Sequence, residues 1–178
     1  MSTETATATG VWTVDKIHSS VRYEIQHNGT AAYRGSFEDV DGKLEYGAEG
    51  VKLTGVVKLE SNDLKDEQQR GHVLSPDFFD AERYPEATYE STDVQIDGTN
   101  VTIKGNLTLK GVAKEVTVTG TIGQPGPNLG GTETIAVHLE TTINRQDYGV
   151  SWNAELPNGS QVLGDDVKIE VVLELVQG

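Results

Sequence analysis

Eight stretches of this chain alternate apolar and polar side chains with a period of two, and that rhythm restricts the fold more than any other feature. Alternation places every second side chain on one face of an extended strand. In SVRYEIQ the apolar face is Val21, Tyr23 and Ile25. YRGSF carries Tyr33 and Phe37 and runs on through Leu44 and Tyr46, past a bulge expected near Glu38–Asp39. VKLTGVVKL supplies Val51, Leu53, Val57 and Leu59; ATYESTDVQI is the fourth strand; VTIKGNLTL, with Val101, Ile103, Leu107 and Leu109, is the fifth. EVTVTGTI, IAVHLETTI and VKIEVVLEL complete the set, with VWTVD as a short lead-in. Asp97-Gly98 signals a hairpin between strands four and five. One segment breaks the rhythm. NDLKDEQQRGHVL reads as a short helix capped by Asn62 or Asp63 and stopped at Ser75-Pro76.

Antiparallel strands with one apolar face must stack as two sheets or close on themselves, and closure removes the unpaired edges. The expectation is all-β: an eight-stranded antiparallel up-and-down barrel with one short helix between strands three and four. Residues 1–10 are expected to be a disordered tail and 11–178 a single barrel domain. A barrel of that size is either filled by side chains or holds one small ligand. Gly35, Gly55, Gly105 and Gly120 share the parity of their strands' apolar rows. Together they leave a lengthwise void, or else they mark bends where strands coil.

Composition narrows the partners. With 28 acidic residues against 14 basic ones, a net charge of −14 repels nucleic-acid phosphates and anionic membrane surfaces. Cysteine is absent, which excludes disulfides and thiolate metal sites. The opening MSTETATATG has neither the basic nor the apolar region of a signal peptide, and no run reaches the ~18–20 apolar residues of a membrane span. A soluble cytoplasmic protein is therefore expected.

In a meander, alternate connections fall at the same end. Residues 28–32, 61–86, 110–114 and 144–165 then share one mouth, and bring Phe78, Phe79, Tyr84, Tyr148, Val150, Trp152 and Leu156 to it. These side chains plug the barrel, or plug it and also gate it for a ligand. The residues expected to face that ligand are Val21, Tyr23, Ile25, His27, Gly35, Phe37, Gly55, Phe78, Phe79, Tyr89, Gly105, Leu107, Ile143, Arg145, Tyr148 and Trp152. Arg145 extends the inward row of Leu139, Thr141 and Ile143 to the rim, where it faces a polar head group or forms a structural salt bridge. No metal site is expected: His18 starts strand one at the far end, His138 points outward, and His27 and His72 have no chelating spacing. No catalytic residue is expected either, since no G-x-S-x-G turn, phosphate loop or dinucleotide fingerprint is present.

Several segments in this order resemble the YceI-like family of polyisoprenoid-binding proteins, which have a lipocalin-like barrel. They are DKIHSSV with Asp15, His18, Ser19 and Val21; His72, Ser75, Asp77, Phe78, Phe79, Asp80, Tyr84 and Pro85; LTLKGVAKEV; TINRQDYG; Trp152–Asn153; and GDDVKIE. The resemblance spans Trp12 to Val176. It implies a non-enzymatic protein that binds, carries or sequesters a long isoprenoid, a quinone or polyprenyl lipid, with no cofactor beyond that ligand. Many relatives carry a secretion signal, which is not expected here from the opening MSTETATATG, and Tyr89 and Tyr148 stand where the family often has Phe. Two alternatives stand beside this reading. One is an enzyme acting on an apolar substrate, with His27, His72, Arg145 or Asp147 as acid–base groups. The other is a filled barrel acting through protein contacts, as a homodimer through outward apolar residues such as Val56 and Val172.

Overall fold

The strands hydrogen-bond into one antiparallel sheet that closes on itself. The structure, a computed structural model, describes residues 8–178. The expected tail therefore lies, as far as residue 7, outside the described residues, and Gly10 already opens a strand. In chain order the strands are β1 (Gly10–Val14), β2 (Ser20–His27), β3 (Ala31–Phe37), β4 (Val40–Gly47), β5 (Gly50–Lys58), β6 (Glu86–Asp97), β7 (Asn100–Leu109), β8 (Val112–Ile122), β9 (Gly126–Pro127), β10 (Glu133–Asn144) and β11 (Leu163–Gln177). One helix, α1 (Glu67–Leu74), lies between β5 and β6, and short 3₁₀ turns occupy Leu59–Ser61 and Arg145–Tyr148.

The eight expected strands are β2, the bent pair β3–β4, β5, β6, β7, β8, β10 and β11. Neighbours in that series pair antiparallel, except that β8 meets β10 across the β9 excursion, and β2 pairing with β11 closes the ring. The break between β3 and β4 falls at Glu38–Asp39, where the bulge was expected. The lead-in VWTVD does more than lead in. As β1 it wedges between β4 and the end of β11, with Trp12 opposite both Leu44 and Gln177. The long β11 can serve two partners because Leu163–Val172 pairs with β2 while Leu175–Gln177 pairs with β1.

Tight turns hold the register at the loop-rich end. Asn28 and Gly29 both adopt positive φ, 55° and 68°, between β2 and β3, and Lys110 and Gly111 do the same between β7 and β8. Two successive positive φ values match the right-handed twist of the flanking strands. A methyl group at Gly111 would also strike the Tyr84 ring, so glycine there serves packing as well as backbone.

The interior divides along its length. At the end that receives the termini, Trp12, Leu44, Ile103, Ile135, Val137 and Leu175 form a filled core. Trp12 is 2% exposed, and its indole N–H is satisfied by the Thr9 carbonyl at 3.0 Å. At the other end a second cluster of Phe37, Leu59, Phe78, Leu109, Ile143, Tyr148 and Val150 forms a cap. Between them, inward residues on β2 and β11 (Val21, Ile25, Val167, Ile169, Val171) stay only half-buried. Apolar side chains that point inward yet keep accessible surface are lining a space.

Candidate functional site: a capped apolar cavity

The two tight turns and the two long connections of this end meet at one mouth, as the meander requires. Lys110 Nζ donates to the Pro76 and Gly149 carbonyls at 2.8 and 3.1 Å, and Asn28 N donates to the Val162 carbonyl at 2.7 Å. These bonds tie the turn after β7 and the turn after β2 to the two long cap segments. Where β5 leaves the sheet beside β3, the segment after it takes its place: Ser36 N donates to Asp63 Oδ1 and Asp63 N donates back to the Ser36 carbonyl, both at 2.9 Å. The barrel wall is thereby completed by a loop instead of a strand.

Helix α1 rests over the opening. Its N-cap is Asp66, whose Oδ1 accepts from Gln69 N at 2.8 Å; the cap expected at Asn62 or Asp63 is displaced because those two residues first pair with Phe37 and Ser36 of β3. No residue of α1 is buried, and Gln68, Gln69, His72 and Val73 look into the cavity. His72 ties the cap together. Its Nε2 lies 3.0 Å from Asp77 Oδ2, and its ring meets Phe78 and Trp152 edge-on with centroids 5.0 and 4.8 Å away. His27 lines the cavity from the end of β2 and takes no part in the His72–Asp77 pair.

Beneath the cap lies a cavity of about 650 Å³. Of the residues expected to face a ligand, Val21, Tyr23, Ile25, His27, Phe37, Gly55, Phe78, Phe79, Tyr89, Leu107, Ile143, Arg145 and Trp152 line it; Gly35, Gly105 and Tyr148 do not. Gly35 is roofed by the ring of Tyr23, its cross-strand partner, and Gly105 sits against the Glu90 carbonyl and beneath the ring of Tyr89. An aromatic ring laid over a strand glycine covers the backbone that the missing side chain exposes. Gly120 marks a close approach of β8 to the His138 carbonyl on β10. Only Gly55 opens on the cavity, so the lengthwise void expected from four glycines is a correction: one contributes space, two seat tyrosines and one seats a neighbouring strand. Tyr148, 2% exposed, is part of the cap core instead of the lining.

The tyrosines are held in their neutral form. Burial, with Tyr33 and Asp63 adding to it, raises the pKa of Tyr23 well above the ordinary phenol value, and burial with Glu115 nearby pushes Tyr89 up to about 12. The Tyr89 hydroxyl donates to the Val116 carbonyl at 3.0 Å, which fixes its ring across Gly105.

Arg145 is 3% exposed and faces inward, with Nε and Nη1 committed to the cap. Nε donates to the Gly164 carbonyl at 2.8 Å, and Nη1 donates to the Val150 and Trp152 carbonyls at 2.7 and 2.9 Å. Nη2 approaches Asp165 Oδ1 at 3.8 Å and makes no hydrogen bond. Burial lowers the guanidinium's pKa and the Asp165 charge opposes that shift. Arg145 thus knits the 145–165 segment and at the same time lines the cavity. Asp147 is exposed.

Sequence reasoning omitted Val167, Ile169 and Val171 of β11 and Leu59, Leu64 and Leu163 from the lining. The β11 residues carry the inward alternation that flagged their counterparts on β2, so the signal was present. Leu59 also ends the inward row of VKLTGVVKL, whereas Leu64 and Leu163 sit in or beside irregular backbone, where alternation gives no direction. Outside the cavity, Asp15, His18 and Glu174 come together at the filled end, and His138, Glu140 and Glu170 on the outer wall. In each, the histidine faces a carboxylate, His18 Nδ1 lying 2.8 Å from Asp15 Oδ2 and His138 Nε2 3.5 Å from Glu170 Oε1. Among the described residues no helix is long and apolar enough to cross a membrane.

Comparison with known proteins agrees with this architecture. The chain is 31% identical over 167 residues to a UPF0312 protein of Staphylococcus aureus strain N315, covering 92% of this chain and 95% of that one. Among solved structures it resembles BcnA of Burkholderia cenocepacia, with a TM-score of 0.74 and 27% identity over 90% of this chain and 98% of that one. A polyisoprenoid binding domain from Saccharophagus degradans, implicated in plant cell wall breakdown, shares the fold with a TM-score of 0.72 at 17% identity, over 94% and 98% of the two chains. The sequence profile of the YceI-like domain matches residues 12–175, and with the barrel, its cap and its cavity in place, this chain belongs to the YceI-like family.

Proposed function

We propose that this protein binds a long apolar isoprenoid, such as a quinone tail or polyprenyl lipid, inside its barrel and carries or sequesters it without chemical change. The observation that carries the reading is the cavity itself: about 650 Å³, lined on every strand it touches by Val, Ile, Leu and aromatic side chains, and covered by a helix with no buried residue. An apolar space of this kind in water lowers its free energy by taking up hydrocarbon. The polyisoprenoid-binding domain that shares the fold supports isoprenoid as the class of hydrocarbon. Energetics favour carriage over irreversible storage. Burial is worth about 0.8 kcal/mol per methylene against water, but a chain taken from a bilayer leaves an apolar medium and gains little of that. Loading and unloading at membranes are then close to balance.

Organic extraction of the purified protein, followed by native mass spectrometry with added prenylquinone, tests the reading. A co-purifying prenyl lipid or one-to-one uptake supports it; a ligand-free protein that takes up no prenylquinone contradicts it. The two cap phenylalanines separate under the same assay. Phe79 is half-buried and meets Phe37 edge-on at 6.1 Å, whereas Phe78 is buried against Trp152. Phe79→Asp is expected to weaken uptake while the barrel stays folded, and Phe78→Asp to unseat the cap and lower stability by about 3 kcal/mol or more.

A further inference from the structure

We infer that His138, Glu140 and Glu170 form a surface site for a divalent transition-metal ion, taking zinc in preference to calcium or magnesium. These side chains lie on the outer wall of the barrel and none of them lines the cavity, so the site is independent of any ligand held inside.

Strand geometry assembles the group. His138 and Glu140 stand two positions apart on β10, so both project from its outer face while Val137 and Leu139 are buried in the core. The neighbouring β11 runs antiparallel in unbroken register from Val176 opposite Thr134 to Asp166 opposite Asn144. That register sets Glu170 directly across from Glu140, and Val172 across from His138. The imidazole nitrogen and one oxygen of each carboxylate all lie within 4.8 Å of one another. The outward direction of His138, which kept it away from any site within the barrel, is what brings it to the two glutamates. Two paired strands also hold ligands more firmly than loops do.

Two features separate the group from an ordinary surface ion pair. His138 Nε2 lies 3.5 Å from Glu170 Oε1, beyond the usual range of about 2.7–3.2 Å for an N–H···O bond. Ligand atoms about 2.0–2.1 Å from a tetrahedral ion are roughly 3.4 Å apart, so this pair is already spaced to bracket one. Glu140 and Glu170, moreover, face each other across the two strands, and like charges so placed repel. Arg22 answers only part of that repulsion: its Nη1 is 3.7 Å from Glu170 Oε1, on a side chain 60% exposed and able to turn into solvent. A divalent ion answers both carboxylates at once, with Arg22 as its competitor for Glu170. Asp15, His18 and Glu174 also gather, but there His18 Nδ1 and Asp15 Oδ2 are already hydrogen-bonded at 2.8 Å, a bond an ion would have to break.

The donor set selects the ion. One imidazole nitrogen with two carboxylate oxygens suits zinc, cobalt or nickel, whereas calcium and magnesium take shells of oxygen alone. Three protein ligands leave at least one position of a tetrahedral ion to water.

Isothermal titration of the full chain, free of any histidine tag, with zinc chloride tests the assignment. The wild type should bind zinc with one-to-one stoichiometry and respond far more weakly to calcium chloride. His138→Ala and Glu170→Gln should each weaken zinc binding by about tenfold or more, since losing a ligand costs at least as much as losing a group that merely orients one. Arg22→Ala should tighten it by about two- to fivefold, because a competing surface charge is gone. His18→Ala should leave it unchanged. All four substitutions fall on the outer surface, and circular dichroism checks that each variant keeps the wild-type strand signal. Absence of zinc uptake would overturn the site, as would wild-type affinity in His138→Ala or Glu170→Gln, weaker binding in Arg22→Ala, or calcium bound as tightly as zinc. Binding lost in His18→Ala and kept in His138→Ala would overturn it in favour of the other cluster.

Discussion

At the residue scale, glycines that look equivalent in the sequence have different duties. Gly120 faces the carbonyl of His138 across β8 and β10, so a methyl group there collides with backbone that cannot swing away. Gly35 faces the Tyr23 ring, a side chain able to shift, and Gly55 faces cavity. Gly120→Ala is therefore expected to cost about 3 kcal/mol or more, Gly35→Ala about 1–3, and Gly55→Ala less than about 1, in urea unfolding. A flat series would contradict the assignment of those contacts. The Asp15–His18 pair supplies a pH signature. The hydrogen bond to Asp15 raises the pKa of His18, and the same bond lowers that of Asp15. The His18 contribution is fully present below the ordinary histidine value of about 6.5 and fades as pH rises through the raised folded value; the Asp15 contribution is present above about 3.9 and fades on acidification through its lowered value. Stability measured from pH 6 to 8 should fall less steeply in His18→Ala than in the wild type. An identical slope would show that the pair carries no linkage.

At the element scale the helix over the mouth is held by its ends and not by its face. With no buried residue, α1 depends on the Asp66 cap, the His72–Asp77 pair and the aromatic contacts of His72. Asp66→Ala should cost about 1 kcal/mol and appear locally, as faster amide exchange in residues 67–74 with little change in the strands. Unchanged exchange in the helix would mean the cap is held in some other way. The same contrast explains what could be read from the sequence. Period-two alternation placed all eight barrel strands and the mouth, because a one-residue slip would turn a whole strand inside out. It could not tell how the cap is seated, because residues 60–66 and 149–162 have no period. Nor could it tell a glycine beneath a tyrosine from one beside a void, since that depends on the rotamer of a residue on the neighbouring strand. Arg145 kept its inward direction, yet which carbonyls it would meet depended on a turn that alternation does not describe.

At the scale of the whole molecule, the barrel is half core and half container. The filled end with Trp12 and Leu175 supplies the rigid packing, and the apolar space sits between that core and a cap of loops and one polar helix. The division suits the proposed carrier: the rigid packing and the cavity are different regions of one sheet. The proposal also puts the bound chain in contact with particular side chains. Isotope-filtered nuclear Overhauser measurements between an unlabelled prenylquinone and methyl-labelled protein test this most directly. The account predicts cross-peaks from the tail to Val21, Ile169 and Leu139 inside the barrel, and none to Leu129, which is fully exposed at the opposite end. Cross-peaks confined to surface methyls, with the interior valines, isoleucines and leucines silent in a saturated complex, would contradict it.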